Sequence, residues 1–189
     1  MIEQEMAGWM RRTYRRGLTT LSGGNLSVRA GDTVLITASG RDKARLRAAD
    51  IVRIHLANGR PLEATAPPPS IETGMHLALY RAQPTLGAIL HAHPPWLSVF
   101  CVTGRPVNTD LLTESRDIVG SCGVVPRAAC GSPELAAAVV AAAAQGHNAL
   151  VLAGHGALAL GRDARQAYNR LEVLEQTAQA QLFASGNQP

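Results

Sequence analysis

Apolar residues recur along the chain with two periods, one typical of helices and one typical of strands. Segment 2–16 has apolar residues every three to four positions with charged residues between them, which predicts an amphipathic helix that ends at Gly17. The recurring positions are Ile2, Met6, Trp9, Met10 and Thr13.

The following segments have the patterns of strands. Residues 26–38 contain two apolar runs separated at Asp32, which predicts a hairpin. Residues 51–57 predict a third strand. The pair Asn58–Gly59 is a strong turn signal, so we expect a further strand in residues 60–65.

The middle of the chain predicts a helix, a buried strand and a short helix. Ser70 follows a run of prolines and is expected to cap a helix over 71–82, whose buried side is formed by Ile71, Met75, Leu79 and Tyr80. The run "LGAILHAHP" (86–94) is typical of a buried strand, and Pro94–Pro95 separates it from a short helix at 95–103.

The last third predicts a strand near "CGVVPRA" (122–128), within a segment that otherwise has no clear period. Ser132 and Pro133 begin a helix that Gly146 ends. "NALVLAGHGALAL" (148–160) is typical of strand, turn and strand, and 163–184 of a long helix. Because no repeat or linker divides the chain, we expect one α/β domain over residues 1–189, with helices packed against one sheet.

Composition narrows the class of protein. Of the 189 residues, 46% are hydrophobic and 17% are charged, which is typical of a folded domain. Aromatic residues make up 4%, too few for a large base-stacking surface. The longest apolar run, 135–144, is too short to span a bilayer, so we expect no membrane association. Cys101, Cys122 and Cys130 show no CxxC spacing and no signal peptide is recognisable, so we expect reduced thiols in a cytoplasmic protein.

The formal net charge is +4, and four arginines lie close together in the first helix. This cluster is compatible with a nucleic-acid surface, with the solvated face of a helix, or with attraction of an anionic small substrate. We favour the solvated face and expect no nucleic-acid partner, because no nucleic-acid motif accompanies the cluster. The arginines are Arg11, Arg12, Arg15 and Arg16.

The segment "AILHAHPPW" (88–96) contains the candidate chemistry. Alternate residues of a strand face the same side, so His91 and His93 project together, as two ligands of one metal do. A catalytic zinc site needs a third ligand. His155 lies in "GHG" directly after an apolar strand, where flanking glycines allow close approach. Spacing alone leaves the third ligand open, although the remaining histidines have ready structural interpretations: His55, His76 and His147.

Glu72 falls in the first turn of the helix that follows Ser70. A carboxylate there commonly stabilises the helix dipole. If this helix points its N-terminus at the metal, Glu72 is instead placed to act as a general base. Both interpretations fit the sequence.

Five motifs, in this order and spacing, resemble those of the class II aldolase/adducin family, whose metal-dependent members include enzymes of the L-fuculose-phosphate aldolase type. They are "SGGNLSVR", "LITASG", "PPSIETGMHLALYR", "ILHAHP" and "LVLAGHGALALGRD". The resemblance covers the chain from about Leu21 to the last helix. It implies a class II aldolase-like fold, with a mostly antiparallel central sheet between layers of helices, assembled as a homotetramer.

The resemblance also implies site residues and an activity. His91, His93 and His155 would bind a divalent metal, with Zn²⁺ expected ahead of Mn²⁺ or Co²⁺, and Glu72 would be the acid/base group. The implied activity is that of a metal-dependent aldehyde-lyase, which cleaves a ketose phosphate or a related sugar-like substrate through a metal-stabilised enediolate. Residues of two glycine-containing loops and the helix entry would hold the phosphate: Gly24, Asn25, Ser39, Gly40 and Ser70.

Two departures from the family pattern bear on the substrate. Ile71 stands where the aldolases have a second serine, and no tyrosine lies between Tyr80 and Tyr168, where they have a catalytic one. Alternatives therefore include a dehydratase, epimerase or decarboxylase of the same fold and a non-catalytic, adducin-like interaction module. The region of the absent tyrosine contains Thr109, Asp110 and Glu114.

Overall fold

The computed structural model describes residues 1–186, which contain six α-helices and seven β-strands. Two short 3-10 helices lie at Ala48–Asp50 and Thr109–Leu111. The α-helices are α1 (Ile2–Arg15), α2 (Thr73–Ala82), α3 (Pro95–Thr103), α4 (Thr113–Ile118), α5 (Pro133–Ala143) and α6 (Ala164–Gly186). The strands are β1 (Asn25–Ala30), β2 (Thr33–Thr37), β3 (Ile51–His55), β4 (Ala88–Ala92), β5 (Cys122–Val125), β6 (Ala149–Leu152) and β7 (Gly156–Gly161).

The seven strands form one sheet in the order β3-β2-β1-β4-β7-β6-β5. Every neighbouring pair is antiparallel except β5 and β6, which are parallel. Strand β4 is central, and it pairs β1 on one side and β7 on the other. The mostly antiparallel sheet that the family resemblance implies is therefore confirmed.

Two apolar clusters cover the two faces of this sheet. Helices α1, α3 and α6 pack on one face, with Met6, Phe100 and Leu171 among the buried side chains. Helices α2 and α5 pack on the other face and contribute, for example, Leu79 and Val139. The layers are helix, sheet and helix, as expected, and β4 is buried on both faces because helices cover it from either side.

The entry into α2 differs from the prediction. The helix begins at Thr73, and Ser70 is not its N-cap: its Oγ accepts a hydrogen bond from the Glu72 backbone N–H at 3.3 Å, within a turn that precedes the helix. The prediction that Ile71 is buried is wrong, because its side chain is 68% exposed in that turn. Met75, Leu79 and Tyr80 are buried as predicted.

The strand expected in residues 60–65 is reduced to one isolated bridge between Ile54 and Pro61. The turn at Asn58–Gly59 does form, with the His55 N–H donating to the Arg60 carbonyl at 2.9 Å. Proline has no N–H to donate to a ladder, which explains why pairing stops at Pro61.

Part of the basic cluster in α1 is engaged within the chain. The Arg12 guanidinium lies 5.6 Å from the ring centroid of Trp9 and 5.0 Å from that of Tyr168. Arg16 pairs with Glu172 of α6 at 2.9 Å. These contacts attach the exposed face of α1 to α6. Among residues 1–186, no helix combines the length and the apolar character that a bilayer crossing requires.

A buried carboxylate fixes the start of α3, directly after the His91–His93 segment. Pro95, at the first position of α3, has no N–H, so Trp96 and Leu97 present the first free backbone donors. Glu175 of α6 accepts from both, at 2.9 Å and 2.8 Å. Burial raises the pKa of this carboxyl, and the two backbone donors act in the opposite direction.

Replacing Glu175 with alanine is expected to lower the free energy of unfolding by about 1–3 kcal/mol, because two buried N–H groups lose their acceptor. Denaturant unfolding followed by circular dichroism measures this loss. Glu63→Ala, at an exposed loop position, is the control and should change stability by less than about 0.5 kcal/mol. Equal stabilities of the two variants would show that the Glu175 contact contributes nothing.

Candidate metal site

Three histidines separated by up to 64 residues meet at one end of the central strands. His91 lies on β4, His93 directly follows it, and His155 lies in the turn between β6 and β7. Strands β4 and β7 are neighbours, which brings the turn beside the pair. One ring nitrogen of each histidine lies within 4.8 Å of the others, and the ring centroids are 4.8–5.7 Å apart.

The tautomer of His91 follows from its surroundings. The side chain is fully buried, and burial lowers its pKa to about 3, so the ring is neutral at pH 7. Nδ1 lies 3.0 Å from the Ala157 carbonyl, which only accepts, so Nδ1 carries the hydrogen. The Nε2 lone pair is therefore free, which is the arrangement of a metal-ligating histidine whose other nitrogen is held by a carbonyl.

The atoms near His91 Nε2 show whether a cation would fit at this position. His91 Nε2 lies 3.1 Å from His93 Nε2 and 3.1 Å from a carboxylate oxygen of Glu72. A lone pair that faces an anionic oxygen at this distance is repulsive unless a positive charge lies between them. Three imidazoles beside a carboxylate are also a donor set that divalent zinc accepts. These residues fit a divalent cation.

Glu72 lies at the N-cap position of α2, with 4% of its surface exposed. Asn25 donates to it at 2.8 Å and the Cys130 thiol at 3.2 Å, and His155 Nε2 lies 3.1 Å away. Burial raises the pKa of this carboxyl, but the hydrogen bonds with His155, Asn25 and Cys130 lower it below its usual range. Glu72 is thus a buried, ionised carboxylate beside the three imidazoles.

Two glycines allow the neighbouring chain segments to pack closely against His91 and His93. A Cβ atom at Gly156 would lie 2.4 Å from His93 Cδ2 and 3.0 Å from His91 Cε1, so a side chain there would displace both rings. Gly24 has a φ of +67°, and a Cβ at this position would lie 2.6 Å from the His91 carbonyl oxygen. The "GHG" and "SGGN" motifs are therefore explained by the space that they leave around the histidines.

A cavity of about 160 Å³ opens beside these groups. All five residues that the resemblance assigns to phosphate binding line it, together with Glu72, His93 and His155. His91 is fully buried behind this lining. The five are Gly24, Asn25, Ser39, Gly40 and Ser70.

Lys43 also lines the cavity, and the sequence analysis missed it. It is the only lysine in the sequence, and its side chain is 1% exposed. Its ammonium donates to the backbone carbonyls of Ser22 at 3.3 Å and Arg41 at 3.1 Å, and no carboxylate among the described residues lies within 4 Å. Burial lowers its pKa. The available signal was a single lysine three residues after the "TASG" motif.

Cys130 is a second lining residue that the sequence analysis did not assign to the site. Its sulfur lies 3.2 Å from Glu72 Oε1 and 3.8 Å from His155 Nε2. Burial, followed by the neighbouring carboxylate, raises the pKa of the thiol to about 11, so it acts as a hydrogen-bond donor. Its position on the loop before α5 gives no periodic signal in the sequence.

The other three histidines lie outside this cluster, in agreement with their structural interpretations. His76 is buried in α2 with Nδ1 2.7 Å from Ser27 Oγ, and burial lowers its pKa to about 4. His55 is exposed at the end of β3, and His147 contacts Ser121. In the region of the absent tyrosine, Asp110 and Glu114 are exposed, and neither belongs to the described cavity lining.

Comparison with known proteins identifies the family and the fold. A family model described as the class II aldolase and adducin N-terminal domain matches residues 4–182. The chain is 32% identical over 167 residues to an L-fuculose phosphate aldolase of Methanococcus maripaludis, covering 88% of each protein. A solved structure named L-fuculose 1-phosphate aldolase superposes with a TM-score of 0.89 at 32% identity, covering 100% of this chain and 88% of that one.

The chain is also similar to a protein that is named for a different activity. The chain is 35% identical over 184 residues to a probable bifunctional methylthioribose-1-phosphate isomerase/methylthioribulose-1-phosphate dehydratase of Nocardia farcinica. The alignment covers 90% of this chain and 33% of that protein. The chain thus spans about a third of the length of this relative, and its similarity extends to proteins named for different reactions.

Proposed function

Because the chain belongs to the class II aldolase and adducin family, we propose that it is a divalent-metal-dependent lyase that cleaves a carbon–carbon bond of a ketose phosphate. His91, His93 and His155 would hold the metal, and Glu72 would transfer the proton. The observation that carries this proposal is the convergence of three imidazole nitrogens within 4.8 Å, beside a buried, ionised carboxylate and a cavity.

Each protein group has a separate task in this proposal. A divalent cation supplies Lewis-acid stabilisation of the negative charge that develops on substrate oxygens during cleavage. The Ala157 carbonyl fixes the ring of His91 so that Nε2 faces the cavity side. Asn25 holds one oxygen of Glu72 at 2.8 Å, which orients the carboxylate. Glu72 would first take the proton from the hydroxyl of the carbon that becomes the aldehyde, and would then return it to the carbon from which the aldehyde product departs.

The proposed phosphate subsite is formed by other residues of the same cavity lining. The hydroxyls of Ser39 and Ser70 and the backbone N–H of Gly40 provide donors that suit an anion, whereas the backbone N–H groups of the two serines donate within the chain. Lys43 adds a buried positive charge, and no carboxylate of residues 1–186 lies within 4 Å of its ammonium. Asp42 and Asp50 act on this charge from a greater distance. A buried ammonium without a carboxylate in contact is stabilised when an anion joins it, which supports an anionic substrate group.

Replacing Lys43 with methionine should therefore raise KM for a phosphorylated substrate by about 10–100-fold, since a charged hydrogen bond contributes about 1.5–3 kcal/mol. Steady-state kinetics gives KM, and calorimetric titration with inorganic phosphate gives the affinity for the anion directly. Methionine keeps the length and apolar stem of lysine, so the pocket should remain filled.

Arg45→Met is the matched control, because Arg45 is exposed two residues further along the same loop. It should leave both quantities within about twofold, as expected for a solvated surface charge. Unchanged phosphate affinity in Lys43→Met would exclude Lys43 from the subsite.

A dehydratase on a related substrate is the second candidate, favoured by the 35% identity to the Nocardia relative. Here the same carboxylate would remove a proton next to the carbonyl, and hydroxide would leave the following carbon. No carbon–carbon bond would break. The two reactions use the same metal and Glu72 and differ in the bond that is aligned for cleavage.

A product screen of the metal-loaded protein against ketose phosphates separates the two candidates. The lyase proposal predicts an aldehyde and a three-carbon phosphate, which aldehyde-trapping and mass spectrometry detect. A product lighter by one water, with all carbons retained, would favour the dehydratase. Absence of turnover on every ketose phosphate and keto acid would contradict both.

We also propose a cytoplasmic homo-oligomer, a tetramer by resemblance to the family. Large apolar side chains are exposed around α3 and the end of α6, including Val102 and Phe183, and such patches commonly mark interfaces. Light scattering after size-exclusion chromatography measures the mass, and a monomer at micromolar concentration would contradict the proposal.

A further inference from the structure

Cys130 belongs to a second group of potential ligands that shares one histidine with the triad. The group consists of Glu72, Cys130 and His155, and one ligand atom of each lies within 4.8 Å of the others. The separations are 3.1 Å between His155 Nε2 and Glu72 Oε1, 3.2 Å between that oxygen and Cys130 Sγ, and 3.8 Å between the sulfur and the nitrogen.

These separations are those of three ligands around one ion. Zinc binds sulfur at about 2.3 Å and nitrogen or oxygen at about 2.0–2.2 Å in tetrahedral geometry, which places neighbouring ligand atoms about 3.3–3.6 Å apart. Each observed separation departs from that range by a few tenths of an ångström. A cation can therefore meet all three atoms with only small side-chain adjustments.

The surroundings of the group favour entry of a cation from solvent. Glu72 is buried and held by Asn25, whereas Cys130 is exposed and lines the cavity. Ser132, two residues beyond, caps α5 by accepting from the Leu135 N–H at 3.1 Å, which anchors the loop that carries the thiol. The sulfur thus lies over a buried anionic oxygen in a position that solvent can reach.

We propose that Glu72, Cys130 and His155 form a second position for a thiophilic divalent cation, at which occupancy inhibits the enzyme. The thiol proton is released to solvent as the sulfur coordinates. The Nε2 atom of His155 has one lone pair, so it cannot serve cations at both positions at once. A cation there also occupies Glu72 as a ligand and prevents its proton transfer. Cadmium, a softer cation that accepts thiolate ligands, is the expected occupant.

The cation-binding part stands on the contacts above, whereas the inhibitory part rests on the function proposed for Glu72 and His155. Titration of the metal-free protein with Co²⁺, followed by absorption spectroscopy, tests the binding part. Wild type should develop the near-ultraviolet thiolate-to-cobalt charge-transfer band, and Cys130→Ser should bind cobalt without it. Cys122→Ser, which removes a thiol of β5 outside the cavity lining, should retain the band.

A His93→Ala variant separates the two positions, since His93 belongs to the triad alone. It should keep the charge-transfer band on cobalt addition while losing turnover. For the inhibitory part, Cys130→Ser should require at least about tenfold more Cd²⁺ than Cys122→Ser for half-inhibition, because one ligand is lost.

The spectra decide the binding part. Cobalt uptake by His93→Ala without a charge-transfer band, no cobalt uptake by that variant, or a band that persists in Cys130→Ser would each overturn it. Equal Cd²⁺ sensitivity of the two serine variants would overturn the inhibitory part. Failure of the proposed lyase activity is distinguishable, because wild type with one equivalent of metal at the triad would then show no turnover, whereas His93→Ala would still develop the charge-transfer band.

Discussion

Replacing His155 with alanine should remove most of the bound divalent metal and lower kcat/KM by about 10³-fold or more. The variant keeps two of the three imidazoles, and a two-ligand site holds a catalytic metal poorly. Loss of an outer partner of a metal ligand already costs about 10–100-fold in affinity or activity, and loss of a ligand should cost more. Elemental analysis of the dialysed protein and steady-state kinetics measure the two quantities.

His147→Ala is the matched control for this substitution. His147 is also partly buried and follows a turn, but it contacts Ser121 rather than the triad. It should keep full metal content and activity within about threefold, apart from a modest loss of stability. A His155→Ala variant that folds and still retains one metal per chain would remove His155 from the ligand set.

The second large effect is expected for Glu72→Gln. Glutamine has nearly the same shape but cannot take up or return a proton, so kcat should fall by about 10²–10⁴-fold. KM and metal content should change little, because the three imidazoles remain. Single-turnover kinetics and elemental analysis on the same sample provide the test.

Glu134→Gln, at an exposed position in the first turn of α5, is the control and should leave kcat unchanged within about twofold. If Glu72→Gln turned over at the wild-type rate, another group would be the acid/base. Together, the two substitutions separate metal binding from proton transfer: His155→Ala loses both, and Glu72→Gln loses only the second.

The sequence was sufficient to predict side-chain placement in segments with one regular hydrophobic period. The alternation of β4 placed His91 and His93 on a common side, and the structure brings their Nε2 atoms to 3.1 Å. Residue spacing did not identify the third ligand, because its position depends on a contact between distant parts of the chain. Strands β4 and β7 pair in the sheet although about 60 residues of chain separate them. His155 can be identified as the third ligand only from the sheet topology, or from resemblance to a family that shares this topology.

Hydrophobic periodicity did not predict the functional residues of the loops, because loops have no regular pattern of buried positions. The N-cap expected at Ser70 was displaced because the chain makes one further turn, whose Ser70–Glu72 contact aims the carboxylate at the histidines. Lys43 and Cys130 lie on loops, so neither shows a period that would reveal its burial or its partners. Their contribution to the cavity follows from three-dimensional packing.

Adding a divalent metal stepwise to the apoprotein while recording turnover tests the central claim most directly. The proposed site predicts that activity is negligible without metal, rises with each addition and reaches its maximum at about one equivalent per chain. Full turnover by protein shown to be free of metal would contradict it.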